Sequence, residues 1–229
     1  MADRDWYEWH RQYENPDSHL VHRLATVQSR IRAALDEAPP GPLRAISVVA
    51  GQGRDLIPVL ATHPRGADVT ARLVELDPRN TAVARELAER LPSAPSVSSA
   101  SSVSSVDIVT GDASLVEAYA GLIPADLVLL CGLFGNITDE DIRATISAAR
   151  GLTRTGGTVI WTRGRGEPDR VDWVASVFEE NDFERVFLSA PGPRYGVGEH
   201  RHTGPVLPLP PGSMFTFVGR HALRARGLR

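Results

Sequence analysis

The sequence of 229 residues predicts an α/β fold in which helices cover both faces of a doubly wound, mostly parallel sheet. From residue 44 onward, short β-rich apolar runs alternate with amphipathic helical segments, which is typical of successive strand–helix–strand units. The C-terminal part departs from this alternation, because the apolar runs 186–188 and 214–218 have no helical pattern between them. Two strands joined in this way are expected to form an antiparallel pair at one edge of the sheet.

Each element of the alternating part is predicted from a local pattern. Residues 46–49 form the first expected strand, and a helix over residues 54–62 follows. Asp77 and Pro78 supply an N-cap and a first-turn proline to the next helix, and Thr138 opens a later one. The other expected strands are residues 72–75, 106–109, 125–130 and 158–161, and the last of them precedes a helix striped by Val171, Val174 and Phe178.

A helical and aromatic segment precedes this sheet. Its apolar residues recur at steps of three and four, as on one face of a helix, at Leu20, Leu24, Val27, Ile31 and Leu35. Asp17 or Ser18 is the expected N-cap. The aromatic residues Trp6, Tyr7, Trp9 and Tyr13 come before the helix and either pad the sheet edge or form a lid over a ligand.

The chain is therefore expected to comprise an N-terminal cap over residues 1–43 and a sheet domain over residues 44–229. Within the sheet domain, residues 93–105 are nearly all Ser, Ala, Val and Pro and carry no charge. A connection of roughly 2–6 residues is typical between a helix and a strand. We therefore expect a flexible insertion here, on the far side of the sheet.

Composition narrows the classes of function. A net charge of −3 and a pI near 6.2 give no global attraction to nucleic acid or to an anionic membrane. The single cysteine, Cys131, excludes an internal disulfide and a cysteine-rich metal site, and no metal site is expected. No stretch approaches the roughly 20 apolar residues that span a bilayer, so a cytoplasmic protein is expected. The oligomeric state stays open. The arginines outside the motifs, which include Arg23, Arg30, Arg220, Arg224 and Arg226, are interpreted as solvated surface, with a local basic patch as the alternative.

A glycine-rich turn follows the first expected strand. Residues 48–55 read Val-Val-Ala-Gly-Gln-Gly-Arg-Asp, and glycine at positions 51 and 53 lets the backbone turn sharply and approach a ligand. The helix that follows offers free N–H groups to an anionic group. A nicotinamide fingerprint would need a small residue three positions after Gly53, where Leu56 stands. No phosphate-binding Gly-x-x-x-x-Gly-Lys-Ser/Thr motif is present either.

Two acidic residues follow the next two strands. Glu75 ends the second strand, 22 residues after Gly53, and a carboxylate there can accept hydrogen bonds from ribose hydroxyls. Asp112 follows the third strand, within Gly-Asp-Ala. Each also has a simpler interpretation, as a solvated strand end for Glu75 and as a turn or helix cap for Asp112. Because the carboxyl ends of parallel strands lie at one edge of a sheet, these motifs are expected to face a common ligand.

From about Ala45 to the C-terminus, the chain resembles class I S-adenosylmethionine-dependent methyltransferases. Within them it is most similar to bacterial methyltransferases with an Ala-Gly-x-Gly-Arg glycine loop. The resemblance implies a Rossmann-like methyltransferase sheet, S-adenosylmethionine as cofactor and S-adenosylhomocysteine as product. It implies that the cofactor contacts Ala50, Gly51, Gly53, Asp55, Glu75, Leu76, Gly111, Asp112, Ala113, Cys131 and Gly132. The sequence departs from the family pattern at Ser47, where an acid is frequent, and at Val49, where a glycine is frequent; Asp55 or the N-terminal segment is a candidate to compensate.

The acceptor is expected to be a small molecule methylated on oxygen or nitrogen. Catalytic candidates are Asn136, in the loop after the fourth strand, and His200 and His202, in an expected surface loop; Asn136 is equally a candidate turn cap. His10 is a further candidate base. Substrate-binding candidates are Trp6, Trp9, Phe134, Arg163 and Tyr195. Two alternatives stay open, namely methylation of RNA or protein, and a methyltransferase-like protein that does not transfer a methyl group.

Overall fold

A seven-stranded mixed sheet forms the centre of the molecule in the computed structural model, which describes residues 4–91, 105–192 and 194–227. The strands are Leu43–Val48 (β1), Val69–Glu75 (β2), Ser105–Thr110 (β3), Ala125–Leu130 (β4), Thr153–Gly164 (β5), Phe183–Leu188 (β6) and Tyr195–His202 (β7). Their order across the sheet is β3-β2-β1-β4-β5-β7-β6. All are parallel except β7, which runs antiparallel to both of its neighbours. This arrangement confirms the predicted doubly wound α/β fold with an antiparallel last strand.

Helices cover both faces of the sheet. They are Trp6–Trp9 (α1), His19–Glu37 (α2), Ile57–Thr62 (α3), Pro78–Ala88 (α4), Asp139–Leu152 (α5), Val171–Glu179 (α6) and Arg220–Ala225 (α7). On one face, α2, α3 and α4 contribute Val27, Leu60 and Ala84 to a core that includes Leu73 and Leu129 of the sheet. On the other face, residues of α5 and α6 pack against alternate residues of the same strands. The two faces together bury the apolar runs that predicted the strands.

Local capping signals explain where several helices begin. Ser18 accepts a hydrogen bond from the backbone N–H of Leu20 at the start of α2, and Asp77 accepts one from Arg79 N at the start of α4. Thr138 accepts one from Asp141 N at the start of α5. The predicted apolar stripe of α2 is likewise confirmed, because four of its five residues are buried: Leu20, Val27, Ile31 and Leu35. Of the expected insertion 93–105, only Ser105 lies within the described residues, where it begins β3.

The prediction for the C-terminal strands is wrong in one respect. The antiparallel partner of β6 is β7, which comprises residues 195–202, and not residues 214–218. β7 also pairs with β5, so it lies inside the sheet instead of in a surface loop. The sequence did not indicate a strand here, because glycines are uncommon inside strands. Gly196 and Gly198 are needed because Val171 and Trp161 pack directly against the backbone at these positions. Met214 and Phe215 are buried against the helical layer without joining the sheet.

The strand order reverses between β1 and β4. From β1 the chain proceeds to β2 and β3 on one side, and from β4 to β5 on the other. Open α/β sheets bind ligands at the carboxyl ends of the strands beside such a reversal. None of the helices in the described ranges combines the length and the apolar character needed to cross a membrane.

Candidate functional site

A cavity of about 560 Å³ lies at the carboxyl ends of the strands, over the point where the strand order reverses. Its floor comes from the loops that follow β1, β2, β3 and β4 and from the end of β5. The N-terminal segment, the beginning of α2 and the segment before α7 contribute the remaining walls. A volume in this range is typical of a site for a small ligand.

The glycine turn after β1 has the backbone conformation that the sequence predicts. Gly51 and Gly53 have φ angles of +56° and +66°, in the left-handed region that favours glycine. Gly51 lies in the cavity wall, whereas Gly53 faces the core, where a Cβ would lie 2.6 Å from Ile57 Cδ1. Val49 also has a positive φ, of +50°. A β-branched residue is strained in this conformation. Val49 therefore keeps the shape of the turn, but at an energetic cost that glycine would not have.

His10 packs against this turn from the N-terminal segment. An ideal Cβ placed on Gly51 would lie 2.5 Å from His10 Nε2, so glycine makes room for the imidazole ring. His10 Nδ1 lies 2.7 Å from the carbonyl oxygen of Trp6. A carbonyl oxygen only accepts hydrogen bonds, so Nδ1 carries the proton and Nε2 of the neutral ring presents a lone pair. Burial lowers the pKa of His10, which favours this neutral form.

Glu75 connects the turns that follow β1 and β2. Its carboxylate accepts hydrogen bonds from Gly51 N and from Asp77 N, both at 2.9 Å. Burial raises the pKa of Glu75, and these backbone hydrogen bonds partly oppose that effect. Glu75 lines the cavity, so its interpretation as a solvated strand end is wrong. The carboxylate both shapes the glycine turn and faces the space where a ligand would bind.

The loops after β2 and β3 form one end of the cavity. Leu76 lines it with 71% of its surface exposed, which leaves an apolar side chain available to a planar ligand group. Asp112 and Ala113 lie opposite in the lining. Asp112 Oδ1 accepts a hydrogen bond from Ser114 N at 2.8 Å, and within the described part of the chain Oδ2 has no hydrogen-bond partner. Gly111 lies outside the lining, and its N–H pairs with Glu75 O.

Asp55 and Cys131 meet where the loops after β1 and β4 approach each other. Burial raises the pKa of both groups. The charge of Asp55 raises the pKa of Cys131 further, whereas the hydrogen bond between the two side chains lowers the pKa of Asp55. Arg23 of α2 is the nearby cation that opposes the rise in the pKa of Asp55. The guanidinium of Arg23 donates a hydrogen bond to the Tyr13 hydroxyl at 2.7 Å. All four residues line the cavity, and a thiol with a raised pKa is a poor nucleophile near neutrality.

The loop after β4 is held by hydrogen bonds from three directions. Asn136 Nδ2 donates to Gly132 O at 2.7 Å, and Asn136 Oδ1 accepts from Arg220 N at 3.1 Å. Gly132 N in turn donates to the Thr162 hydroxyl of β5 at 2.9 Å. Asn136 therefore joins this loop to α7, and Thr138 alone caps α5. Both Asn136 and Gly132 line the cavity.

Most of the predicted site residues lie together in the cavity, and five do not. The lining contains Ala50, Gly51, Asp55, Glu75, Leu76, Asp112, Ala113, Cys131, Gly132, Asn136, Trp6, Trp9, Arg163 and Tyr195. Gly53, Gly111, Phe134, His200 and His202 are absent from it. Phe134 is fully buried between Trp161 and Phe178, because its position in the loop points into the core.

The prediction that His200 and His202 belong to a surface loop is wrong. Both side chains have 0% exposure because β7 lies inside the sheet. His200 packs on Phe178 with ring centroids 4.8 Å apart, and His202 packs on Phe183 at the same distance. His202 Nδ1 also lies 3.0 Å from Thr153 O. Their surroundings are core contacts on the face covered by α6, and neither lines the cavity.

The sequence matches no protein-family model and no curated protein sequence. Its fold is similar to that of an O-methyltransferase family protein from Burkholderia thailandensis, with 17% identity and a TM-score of 0.54 over 84% of this chain and 62% of that one. It is similar to magnesium protoporphyrin IX methyltransferase from Synechocystis PCC 6803 with bound SAM, with 16% identity and a TM-score of 0.56 over 89% and 100%. The CurJ carbon methyltransferase matches with 14% identity and a TM-score of 0.59 over 79% and 54%.

The chain has the Rossmann-like methyltransferase fold. It spans less than two thirds of the Burkholderia and CurJ chains and the full length of the Synechocystis one. In this fold the cavity occupies the side of the sheet where the loops after β1 to β5 meet. No group of three or more potential metal ligands occurs among residues 4–91, 105–192 and 194–227.

Several residues of the cavity were not predicted from the sequence. Arg220 and Arg23 were interpreted as solvated, yet both line it. Arg194 and Phe217 also contribute side chains from segments that carry no recognised motif, whereas Tyr13 belongs to the N-terminal aromatic residues for which a lid was one of two expectations. The one available signal was the clustering of aromatic residues near the N-terminus. Nothing in the local sequence indicates that the C-terminal segment returns to the same cavity.

Proposed function

We propose that this chain binds S-adenosylmethionine in the cavity and transfers its methyl group to a small-molecule acceptor. The observation that carries the proposal is that a glycine turn, Glu75 and Asp112 follow three adjacent strands and line one cavity. The methyltransferase fold supports the same conclusion. The charge of the lining also suits the ligand, because the carboxylates Asp55, Glu75 and Asp112 give this side of the cavity negative charge that would attract a cationic cofactor.

The residues around the glycine turn suit each part of the cofactor. Glu75 would accept hydrogen bonds from the ribose hydroxyls. Leu76 and Ala113 would pack on the adenine ring, and Asp112 Oδ2 would accept a hydrogen bond from the adenine amine. The backbone at Gly51 would approach the methionine part, and His10, which packs on Gly51, would border the same part.

The amino-acid end of the cofactor would lie near Asp55 and Arg23. Asp55 suits an ammonium group and Arg23 suits a carboxylate, because each offers the opposite charge. The Asp55 carboxylate, buried next to Cys131, would also be stabilised in its ionised form by a bound cation. This pair compensates for Ser47, which is buried and lies below the cavity floor in β1.

His10 is the proposed general base. When bound, S-adenosylmethionine supplies an activated methyl group, whose carbon–sulfur bond breaks with its electron pair remaining on sulfur as the acceptor atom bonds to the methyl carbon. A hydroxyl or ammonium acceptor also loses a proton in this reaction. His10 lines the cavity, and its Nε2, which lies beside Gly51, holds a lone pair that can take that proton, since Nδ1 already donates to Trp6 O. The backbone of the loops after β1 and β4 would align the acceptor and exclude water.

The depth of the cavity supports a small acceptor. Methylation of RNA or of a protein favours a contiguous basic face and a shallow site, whereas this site is a cavity walled by Trp6, Trp9 and Tyr195. The aromatic side chains offer apolar area to the acceptor. The role of Asn136 is then to hold the loop after β4 in place beside the acceptor, through its hydrogen bonds to Gly132 and Arg220.

Calorimetric titration with S-adenosylmethionine and S-adenosylhomocysteine tests the proposal. The wild-type chain should bind both. Glu75→Ala and Asp112→Ala should each weaken binding about 10- to 100-fold, as expected when a hydrogen bond to a charged acceptor is lost. Glu86→Ala, an exposed carboxylate on α4, is the matched control and should bind like the wild type.

The outcomes separate the parts of the proposal. If the folded wild-type chain binds neither compound, the proposed cofactor is wrong. If it binds both and the two alanine variants bind as tightly as Glu86→Ala, the cofactor lies elsewhere than proposed. Weaker binding by Glu75→Ala has two potential causes, namely loss of the turn that the carboxylate supports and loss of the ligand contact alone. Circular dichroism on each variant distinguishes them.

A further inference from the structure

Charge is unevenly distributed along the cavity. Its lining carboxylates are Asp55, Glu75 and Asp112, at the ends of β1, β2 and β3, and two arginines, Arg23 and Arg54, line the cavity as well. The opposite half, at the ends of β5 and β7 and along the terminal segments, contains four arginines: Arg4, Arg163, Arg194 and Arg220. We call these four residues the rim arginines. The acidic half suits the cationic cofactor, so the basic half is left to the other reactant.

Arg220 shows that this basic half is built into the fold. Its side chain lies against the end of β5, where ideal Cβ atoms on Gly164 and Gly166 would come within 3.5 Å of Nη1 and 3.0 Å of Nη2. The Nε atom is buried and has no hydrogen-bond partner among the described residues. Burial lowers the pKa of Arg220, and the charges of Arg224, Arg4 and Arg194 lower it further. Like charges are therefore held close together here.

No carboxylate in the described ranges lies within 4.0 Å of the guanidinium groups of Arg194 or Arg220. Elsewhere in the protein, arginines that are mostly buried do have acidic partners, as in the pairs of Arg30 with Glu199 and of Arg72 with Asp107. Arg220, which is half-buried beside these like charges, would be stabilised by an anion. A guanidinium also matches the two oxygens of a carboxylate or phosphate.

Apolar residues border the rim arginines. Trp6 and Phe217 make an edge-to-face contact with ring centroids 5.6 Å apart, and the Arg4 guanidinium lies 5.4 Å from the Trp6 ring centroid. Phe217 is 41% exposed and lines the cavity. An acceptor with an apolar or aromatic body would cover these rings while its anionic group contacts the arginines. Arg220 N also bonds to Asn136 Oδ1, which fixes the anion site relative to the loop after β4.

We propose that the methyl acceptor is an anionic small molecule with an apolar body, whose carboxylate or phosphate group binds to the rim arginines. This inference rests on the proposed function, since it assigns the acceptor half of the same cavity. The anion would hold one end of the acceptor at the rim, and the nucleophilic atom would lie towards the loops after β1 and β4. Both anions share the same recognition chemistry, and the probes below distinguish them.

The test is a ligand-observed NMR titration at low ionic strength with benzoate, phenyl phosphate and benzamide as probes. Each probe is titrated into the chain alone and into the chain saturated with S-adenosylhomocysteine. Benzoate or phenyl phosphate should bind at least tenfold more tightly than neutral benzamide, and the tighter anion identifies the preferred group. Arg220→Gln and Arg194→Gln should each weaken anion binding at least tenfold. Arg226→Gln removes the same charge from an exposed position outside the cavity and should leave it unchanged.

Three results would overturn the inference: equal affinity for benzamide and the anions, wild-type affinity in both cavity variants, or displacement of the anion by S-adenosylhomocysteine. Displacement would assign the rim arginines to the cofactor's own carboxylate. Arg194 is exposed at the rim, so Arg194→Gln should fold normally and tests the inference even if Arg220→Gln fails to fold. Binding of S-adenosylmethionine without anion binding refutes only the acceptor class, whereas anion binding without S-adenosylmethionine refutes the proposed function and keeps the anion site.

Discussion

Lowering the pH tests the burial of the His200 ring in the sheet. The ring packs against both Phe178 and Trp161, and its Nδ1 accepts a hydrogen bond from Trp161 Nε1 at 3.1 Å. Burial lowers the pKa of His200 from 6.5 to about 3, and the positive charge of Arg185 adds to the effect. The native protein therefore keeps this histidine neutral in mildly acidic solution, whereas the unfolded chain protonates it.

The sign and size of the effect follow from proton linkage. A base whose pKa is depressed in the folded state contributes stability that is complete above its unfolded pKa of 6.5 and is lost as the pH falls towards the folded value. Between pH 7.5 and pH 5.0, protonation of this one group in the unfolded chain lowers the free energy of unfolding by about 2 kcal/mol. That is a large part of the total stability of an ordinary domain.

Urea unfolding followed by tryptophan fluorescence, at pH 7.5 and at pH 5.0, measures the effect. His200→Asn retains an acceptor near the position of Nδ1 and does not titrate, so it should lose about 2 kcal/mol less than the wild type between the two pH values. His22→Asn, at an exposed position of α2, should lose as much as the wild type. Equal losses in His200→Asn and the wild type would refute the neutral, buried state of His200.

Three further predictions concern the fold and the cavity. Arg30→Ala should lower the free energy of unfolding by about 3–5 kcal/mol, because it leaves the fully buried Glu199 without its partner at 2.5 Å. Urea unfolding measures this change, and a loss below 1 kcal/mol would contradict the prediction. Gly53→Ala should cost about 2–4 kcal/mol, since a Cβ would lie 2.6 Å from a core side chain at φ +66°. Gly121→Ala, also at positive φ but with open space around it, should cost less, and equal costs would show that the contact is irrelevant. His10 should stay neutral with its proton on Nδ1 at pH 6.5, because burial lowers its pKa; nitrogen NMR of the imidazole measures this, and a protonated ring at pH 6.5 would rule it out as the proposed base.

The half of the cavity at the ends of β1, β2 and β3 could be predicted because its signals are local. Gly51 and Glu75 stand at the ends of apolar strands, and the alternation of strands and helices places successive strand ends at one edge of a sheet. The helix caps at Ser18, Asp77 and Thr138 could be predicted for the same reason, since a capping side chain bonds to an N–H group two or three residues away. In each case, the residues that interact are close in sequence or follow a short repeat.

The opposite half of the cavity depends on contacts between distant parts of the chain. Residues 214–218 have the strand-like pattern, yet residues 195–202 enter the sheet, where Val171 and Trp161 pack on the backbone of Gly196 and Gly198. The same choice buries His200 and His202, whose composition alone suggested a surface loop. Arg220 likewise enters the cavity only because Asn136 bonds to the backbone of residues 218–220.

The sequence by itself therefore determined the α/β class, the glycine turn and the acidic strand ends, because these follow from periodicity and from the conformational needs of single residues. The tertiary structure alone decided which histidines are buried, which arginines face the cavity, and that His10 rests on Gly51. The physical reason is that burial and charge pairing are properties of the assembled surroundings. An arginine on a solvated helix and an arginine beside a cavity have the same local sequence pattern, and only the folded chain distinguishes them.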